Sequence, residues 1–169
     1  FCFQLNYKMK KIIILFIAIT LFSCNDGDFD VPAFQFTNTV NSCGEYTLHI
    51  ANSSKTEVLV LSLNDKHISN IEGTATYPIS TSLVVTYRLF DAAISTKYFC
   101  QSIPPFSPNV IKELEAKEGT VNIITSAITK DAIITGYKYK ISISNFLLLD
   151  NDSRIFFETF DIGTFTKTL

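Results

Sequence analysis

The chain has 169 residues, 47% of them hydrophobic and 18% charged, with a formal net charge of −2. Three of its 14 basic residues, Lys8, Lys10 and Lys11, precede Cys24; the 11 that follow face 16 acidic ones, a formal balance of −5. That is one domain's worth of mildly acidic polypeptide. Without a basic cluster it offers no footprint for nucleic acid, whose binding rests on phosphate neutralisation, so nucleic acid is excluded as a partner.

The first element is not part of a fold. Met9 is the only methionine, and Met9-Lys10-Lys11 opens a mostly apolar run from Ile12 to Phe22. Two lysines and about eleven apolar residues match the n-region and h-region of a secretory signal, residues 9–23. A membrane-spanning helix needs about 20 apolar residues, roughly twice this length. Residues 1–8, Cys2 included, read as upstream sequence translated in frame.

Leu21-Phe22-Ser23-Cys24 resembles the lipobox of bacterial lipoproteins. The resemblance implies cleavage before Cys24, with Leu21 and the small Ser23 recognised by the signal peptidase and a diacylglycerol on the Cys24 thiol. Phe22 departs from the small or branched residue usual there. Residues 24–32 follow as a polar tether, Asn25-Asp26-Gly27-Asp28-Phe29-Asp30, whose composition favours a solvated, turn-rich segment. Its carboxylates Asp26, Asp28 and Asp30 resemble the surface-export signal of Bacteroidota lipoproteins. Asn25 stands where the inner-membrane retention signal of enteric bacteria has Asp, which favours the outer membrane, and the acidic cluster favours display on its outer face.

Residues 33–169 are expected to form an all-β domain, an antiparallel β-sandwich, Ig-like or jelly-roll-like, of seven to eight strands. The runs are Phe34 to Thr37, Tyr46 to Ala51, Glu57 to Leu63, Leu83 to Phe90, Val121 to Ile128, Tyr137 to Ser144 and Ile155 to Phe160, with Phe165 in a short final strand. Within Tyr137 to Ser144, Tyr137, Tyr139, Ile141 and Ile143 share one face while Lys138, Lys140, Ser142 and Ser144 share the other, the period of a half-buried strand. Turn residues punctuate the runs at Asn52-Ser53-Ser54, Asn64-Asp65, Glu118-Gly119, Thr129-Lys130-Asp131 and 150–153. A short helix is expected over 109–117, between Pro108 and Gly119. The proline-rich stretch 101–108 is expected to cross between the two halves of the sandwich.

Cys43 and Cys100 remain after Cys24. In the oxidising compartment to which the leader directs the chain, a lone pair of cysteines usually forms a disulfide. Closing that loop would restrict the unfolded chain by about 4 kcal/mol. The alternatives are two buried free thiols or metal ligands, and two cysteines without neighbouring histidines make a poor zinc site.

Catalytic motifs are missing. His49, in a strand, and His67, in a polar loop, accompany no nucleophile elbow, and no phosphate loop, H-E-x-x-H or calcium loop is present. Asp150, Asn151 and Asp152 bring oxygens together but read as a plain turn. Glu45, Glu57, Glu72, Asp91 and Glu158 are the carboxylates a glycosidase would draw on, with no sign of which face each other. Tyr77, Tyr98 and Tyr137 are candidate sugar-stacking rings, and the adjacent Phe156 and Phe157 point to opposite faces, one of them a candidate contact patch.

The whole pattern resembles the uncharacterised small lipoproteins of Flavobacteria-like Bacteroidota: a lipobox, a cysteine near the first strand, a second cysteine before a proline segment (Cys100-Gln101-Ser102-Ile103-Pro104-Pro105), and a closing Gly163-Thr164-Phe165-Thr166. The resemblance implies location and fold but no activity. The expectation is a lipid-anchored, non-catalytic module at the outer membrane, without cofactor or metal, that binds or supports an envelope protein or glycan; a glycan- or small-ligand-binding module and an enzyme of another type are the alternatives. Non-reducing mass spectrometry of the secreted chain should find Cys43 and Cys100 closed to alkylation, and two reactive thiols there would contradict the disulfide.

Overall fold

A computed structural model describes residues 34–103 and 105–169. The expected leader, its recognition residues Leu21 and Ser23, the lipidation site Cys24 and the tether carboxylates Asp26, Asp28 and Asp30 lie outside the described residues.

Period-two alternation and β-branched runs produce eight antiparallel strands: β1 (Asn41–Cys43), β2 (Thr47–Ala51), β3 (Glu57–Ser62), β4 (Gly73–Pro78), β5 (Val84–Phe90), β6 (Val110–Lys130), β7 (Ile133–Asp150) and β8 (Ser153–Thr168). The all-β expectation holds. The layering differs from a sandwich of two separate sheets, because the strands form one sheet in the order β1-β2-β3-β5-β6-β7-β8, with β4 also on β6. The reason is the length of β6. Its first part pairs with β5, Thr86 opposite Glu115, and a later part pairs with β4 along the same edge, Tyr77 opposite Val121. One strand thus serves both halves.

The sheet curls around a single main core. Leu48 and Ile50 of β2, Leu59 and Leu61 of β3, Val85 and Tyr87 of β5, Val121 and Ile123 of β6, and Phe160 and Ile162 of β8 all meet there. On β7, Tyr137, Tyr139, Ile141 and Ile143 turn inward while Lys138 and Lys140 stay exposed, as their alternation dictates. Phe34, Phe146, Phe157 and Phe160 add an aromatic cluster, with Phe34 and Phe157 centroids 5.2 Å apart and Phe157 and Phe160 5.1 Å apart.

The curl brings the two ends of the chain's sheet together. Thr39 forms a parallel bridge to Thr164 of β8, and Lys167 of β8 pairs with Glu45 in the β1–β2 turn at 2.8 Å. The closest approach falls on Gly163, at φ +116°, where a Cβ would lie 2.8 Å from the Asn38 carbonyl oxygen. Only glycine fits that seam. Gly119 marks a second irregularity, with φ +149° and a would-be Cβ 2.8 Å from Ile79 Cδ1.

Several expectations are corrected. Residues 109–117 are not helical, since Leu114 and Ala116 are buried while Glu113, Glu115 and Lys117 are exposed, a period-two pattern satisfied by pairing with β5. Glu118-Gly119 is not a turn but an irregularity in the middle of β6, where the register with β7 shifts. Residues 101–108 do not cross between sheets, because they lead from β5 to its sheet neighbour β6. Phe34 to Thr37 contributes a bridge, Phe36 to Asn52, rather than a strand, and Phe165 belongs to the long β8. β4 was not expected, its Gly-Thr-Ala-Thr-Tyr-Pro composition being weakly apolar.

Gly163→Ala is expected to destabilise the domain by about 1–3 kcal/mol through backbone strain, with the Asn38 contact adding to it. Gly44→Ala, at φ +64° with open space around it, should cost less. Urea denaturation of both variants checks this, and equal losses would contradict a tight seam at Gly163.

Candidate functional site

In the half of the sheet made by β1, β2, β3 and β5, the strands β2 and β3 are buried on both faces. The run Val58-Leu59-Val60-Leu61 has no polar interruption, as a doubly covered strand requires. Leu59 and Leu61 face the main core, while Val58 and Val60 face a second cluster with Ala51, Phe90, Ile94 and Tyr98, and Phe99 packs against it. The cover is a flap, residues 91–103 and 105–109, with a short 3₁₀ turn at Tyr98–Cys100 among the described residues.

Three attachments hold the flap down. At its neck Asn109 donates from its backbone N–H and its side-chain amide to the two carboxylate oxygens of Asp91, both at 2.9 Å. These bonds, the side-chain amide first, hold the Asp91 carboxyl below the ordinary carboxylate range. Near its start the Ile94 N–H donates to the Lys55 carbonyl in the β2–β3 turn at 3.0 Å. At its middle Cys100 is joined to Cys43 of β1, with Cα atoms 4.9 Å apart. The expected disulfide is therefore the flap's covalent attachment.

Between these attachments lies a cleft of about 260 Å³. Its floor is His49 and Ala51 of β2. Thr37, Thr39 and Asn41 form one wall, where the Thr37 N–H and hydroxyl both donate to the Ala51 carbonyl at 2.9 Å. The β2–β3 turn supplies Asn52, Ser53 and Lys55, and the flap supplies Ile94, Ser95 and Thr96.

His49 occupies the centre of this arrangement. It sits on β2 directly opposite Asn41 of β1 and Val60 of β3, with its ring 4.9 Å from that of Phe99. Arg88 lies on the same Phe99 ring, its Cζ 5.8 Å from the centroid, and pairs with Glu113 at 2.5 Å. The imidazole is only 1% exposed, and its Nδ1 has no hydrogen-bond partner among the described residues. An unmade hydrogen bond on a buried polar atom costs about 1–3 kcal/mol. Burial also pushes the His49 pKa down, keeping the ring neutral near pH 7.

The other candidates are spent on structure. His67 lies in the β3–β4 loop, as expected, but its side chain is buried; its Nδ1 accepts from the Asn64 N–H at 3.1 Å and its ring stands edge-on to Tyr77. Glu45 pairs with Lys167, Glu57 accepts from Tyr87 and Asn52, and Glu72 accepts from the Ala127 N–H. Tyr98 and Tyr137 are buried, so neither ring offers a sugar platform, and the Tyr77 hydroxyl is bound to the Lys66 carbonyl. Phe157 packs inward and Phe156 is 56% exposed, the opposite-face split expected of adjacent strand residues. Asp150 pairs with Lys112 at the β7–β8 turn, and no group of three metal-ligating side chains occurs among the described residues. No helix there is long and apolar enough to cross a membrane.

Lys55, Thr39, Asn41, Ser95 and Thr96 had no sequence signal of their own. The available signal was indirect: a histidine between Leu48 and Ile50, next in the sheet to an uninterrupted apolar strand, implies a second layer above it. The fold and cleft define a disulfide-closed β domain with a small recess between flap and sheet. No protein-family model matches the chain, and neither a curated protein nor a solved structure does.

The unfolded chain's imidazole titrates near 6.5 and the folded one lower, so the unfolded state takes up the proton first on acidification. Stability contributed by neutral His49 is complete above that value and declines as pH falls through it toward the folded pKa. His49→Phe should fold and flatten that acid slope in denaturation measured between pH 7 and 5. A loss of more than about 2 kcal/mol at pH 7 would instead reveal a hydrogen-bond partner.

Proposed function

We propose that the chain is a lipid-anchored lipoprotein of the outer membrane, displayed on its outer face, whose β domain is a non-catalytic binding module. The observation that carries the anchor is the ordered run Met9-Lys10-Lys11, apolar Ile12 to Phe22, Ser23-Cys24. Each part has its own chemical task, and the disulfide between Cys43 and Cys100 suits the oxidising compartment such a leader reaches. The acidic residues Asp26, Asp28 and Asp30 favour export to the surface.

Among the binding roles, a small ligand is favoured over a purely structural contact by the cleft at His49. A mainly apolar recess with several polar side chains and an unpartnered, buried imidazole at its floor has the features of a small-molecule site. An envelope protein or glycan is the partner class this placement serves, a glycan end being what a recess of this size admits.

Metabolic labelling with palmitate, followed by membrane fractionation, tests the anchor. The wild-type chain should carry label and sediment with the outer membrane, while Cys24→Ser should be unlabelled and leave that fraction. Label on the Cys24→Ser chain would overturn the assignment.

A further inference from the structure

We propose that the cleft over His49 binds a hydroxylated carboxylate of monosaccharide size, a sugar acid held with its carboxylate toward Lys55 and a hydroxyl on the imidazole. The inference rests on the small-ligand reading above and gives that ligand its chemical class.

Charge is the first ground. Among the described residues, Lys55 is the only charged side chain lining the cleft, and no carboxylate lines it. The nearest acidic residue along the chain, Glu57, shares its strand face with Leu59 and Leu61, on the main-core side, where its carboxylate accepts from the Tyr87 hydroxyl at 3.2 Å and from the side-chain amide of the cleft-lining Asn52 at 3.3 Å. An entering anion therefore meets a cation on the described lining, with the Glu57 carboxylate engaged behind Asn52. Asp91, at the flap's neck, is occupied by Asn109.

Hydrogen-bonding character is the second ground. Thr39, Ser95 and Thr96 bring hydroxyls and Asn41 an amide to the walls, groups that both donate and accept, as sugar hydroxyls do. Most of the exposed lining is nevertheless apolar, which suits the C–H face of a sugar ring between those polar groups. The volume of about 260 Å³ falls below the roughly 300–1,000 Å³ typical of drug-sized sites, which sets the ligand at about one sugar ring.

His49 supplies the third. Its Nδ1 is sealed from solvent without a partner. The proposal therefore includes a turn of the ring about Cβ–Cγ on binding, which exchanges the positions of Nδ1 and Cδ2. A neutral imidazole carries one donor and one acceptor nitrogen, and a ligand hydroxyl satisfies either. The bound state thus supplies the hydrogen bond that the empty cleft lacks.

The test uses the full chain purified in detergent and follows the imidazole Cε1–H resonances by NMR during titration with D-glucuronate and, separately, D-glucose. With two histidines in the sequence, the two resonances are assigned through His49→Phe. Glucuronate should move the His49 resonance saturably and leave His67 in place, with glucose binding at least tenfold more weakly. Lys55→Ala should reduce glucuronate affinity to that of glucose, and Ser95→Trp, on the flap wall of the recess, should weaken both. Equal binding of the two sugars would overturn the acidic class while leaving a small-ligand cleft in place. No movement of His49 with either sugar, or movement of His67 alone, would overturn the inference for this site. Neither result bears on the lipid anchor, which the palmitate experiment reads separately.

Discussion

The covalent link between Cys43 and Cys100 is the constraint on which the outer half of the molecule depends. The flap it secures has few apolar contacts of its own: Ile94, Tyr98 and Phe99 are the residues it lays on Val58, Val60, Ala51 and Phe90. At about 25 cal/mol per Å² of apolar surface, so small a cluster offsets only part of the conformational entropy of ordering the segment. The disulfide removes much of the remaining cost by restricting the unfolded chain. Its position also matters, since it ties the flap to β1, the strand opposite His49. The cleft exists because the flap is held at its neck, at Lys55 and at Cys43, and is left unfilled between them.

The inner half obeys a different constraint. β6, β7 and β8 run 21, 18 and 16 residues, far longer than the usual five or six, and form a ribbon that curls until β8 meets Thr39. Irregularities in β6 near Glu118 and Gly119 and in the β7–β8 register beyond Ile141 allow the bend. Gly163 lets the two edges touch without a side chain between them. Closure of this kind covers a sheet edge that would otherwise invite pairing with another chain. It also places Thr37, Thr39 and Asn41 beside β2, so the inner half's closure and the outer half's cleft share one short segment.

Much of this architecture was legible in the residues. The Tyr137 to Ser144 alternation identified the face of β7 correctly, and the cysteine pair followed from count and compartment. What was not legible depended on long-range pairing. Lys112-Glu113-Leu114-Glu115-Ala116 has helix-forming residues, and only its partner β5 makes it a strand, tertiary pairing overriding local propensity. Gly73 to Pro78 lacks apolar character because one of its edges is free. The cleft was invisible for a related reason: His49 stood out as a strand histidine, but its burial comes from a flap attached 51 residues further along, at Cys100. Side chains such as Ser95 and Thr96 acquire a role only through that attachment.

The account stands most directly on the claim that the disulfide holds the flap over His49. Amide hydrogen exchange followed before and after reduction, together with the His49 imidazole titration, measures it. Reduction should speed exchange at Ile94 and Tyr98 and raise the His49 pKa toward its ordinary value, while amides of β7 such as Ile141 and Ile143 stay protected. A reduced protein with an unchanged flap and an unchanged His49 would contradict the claim.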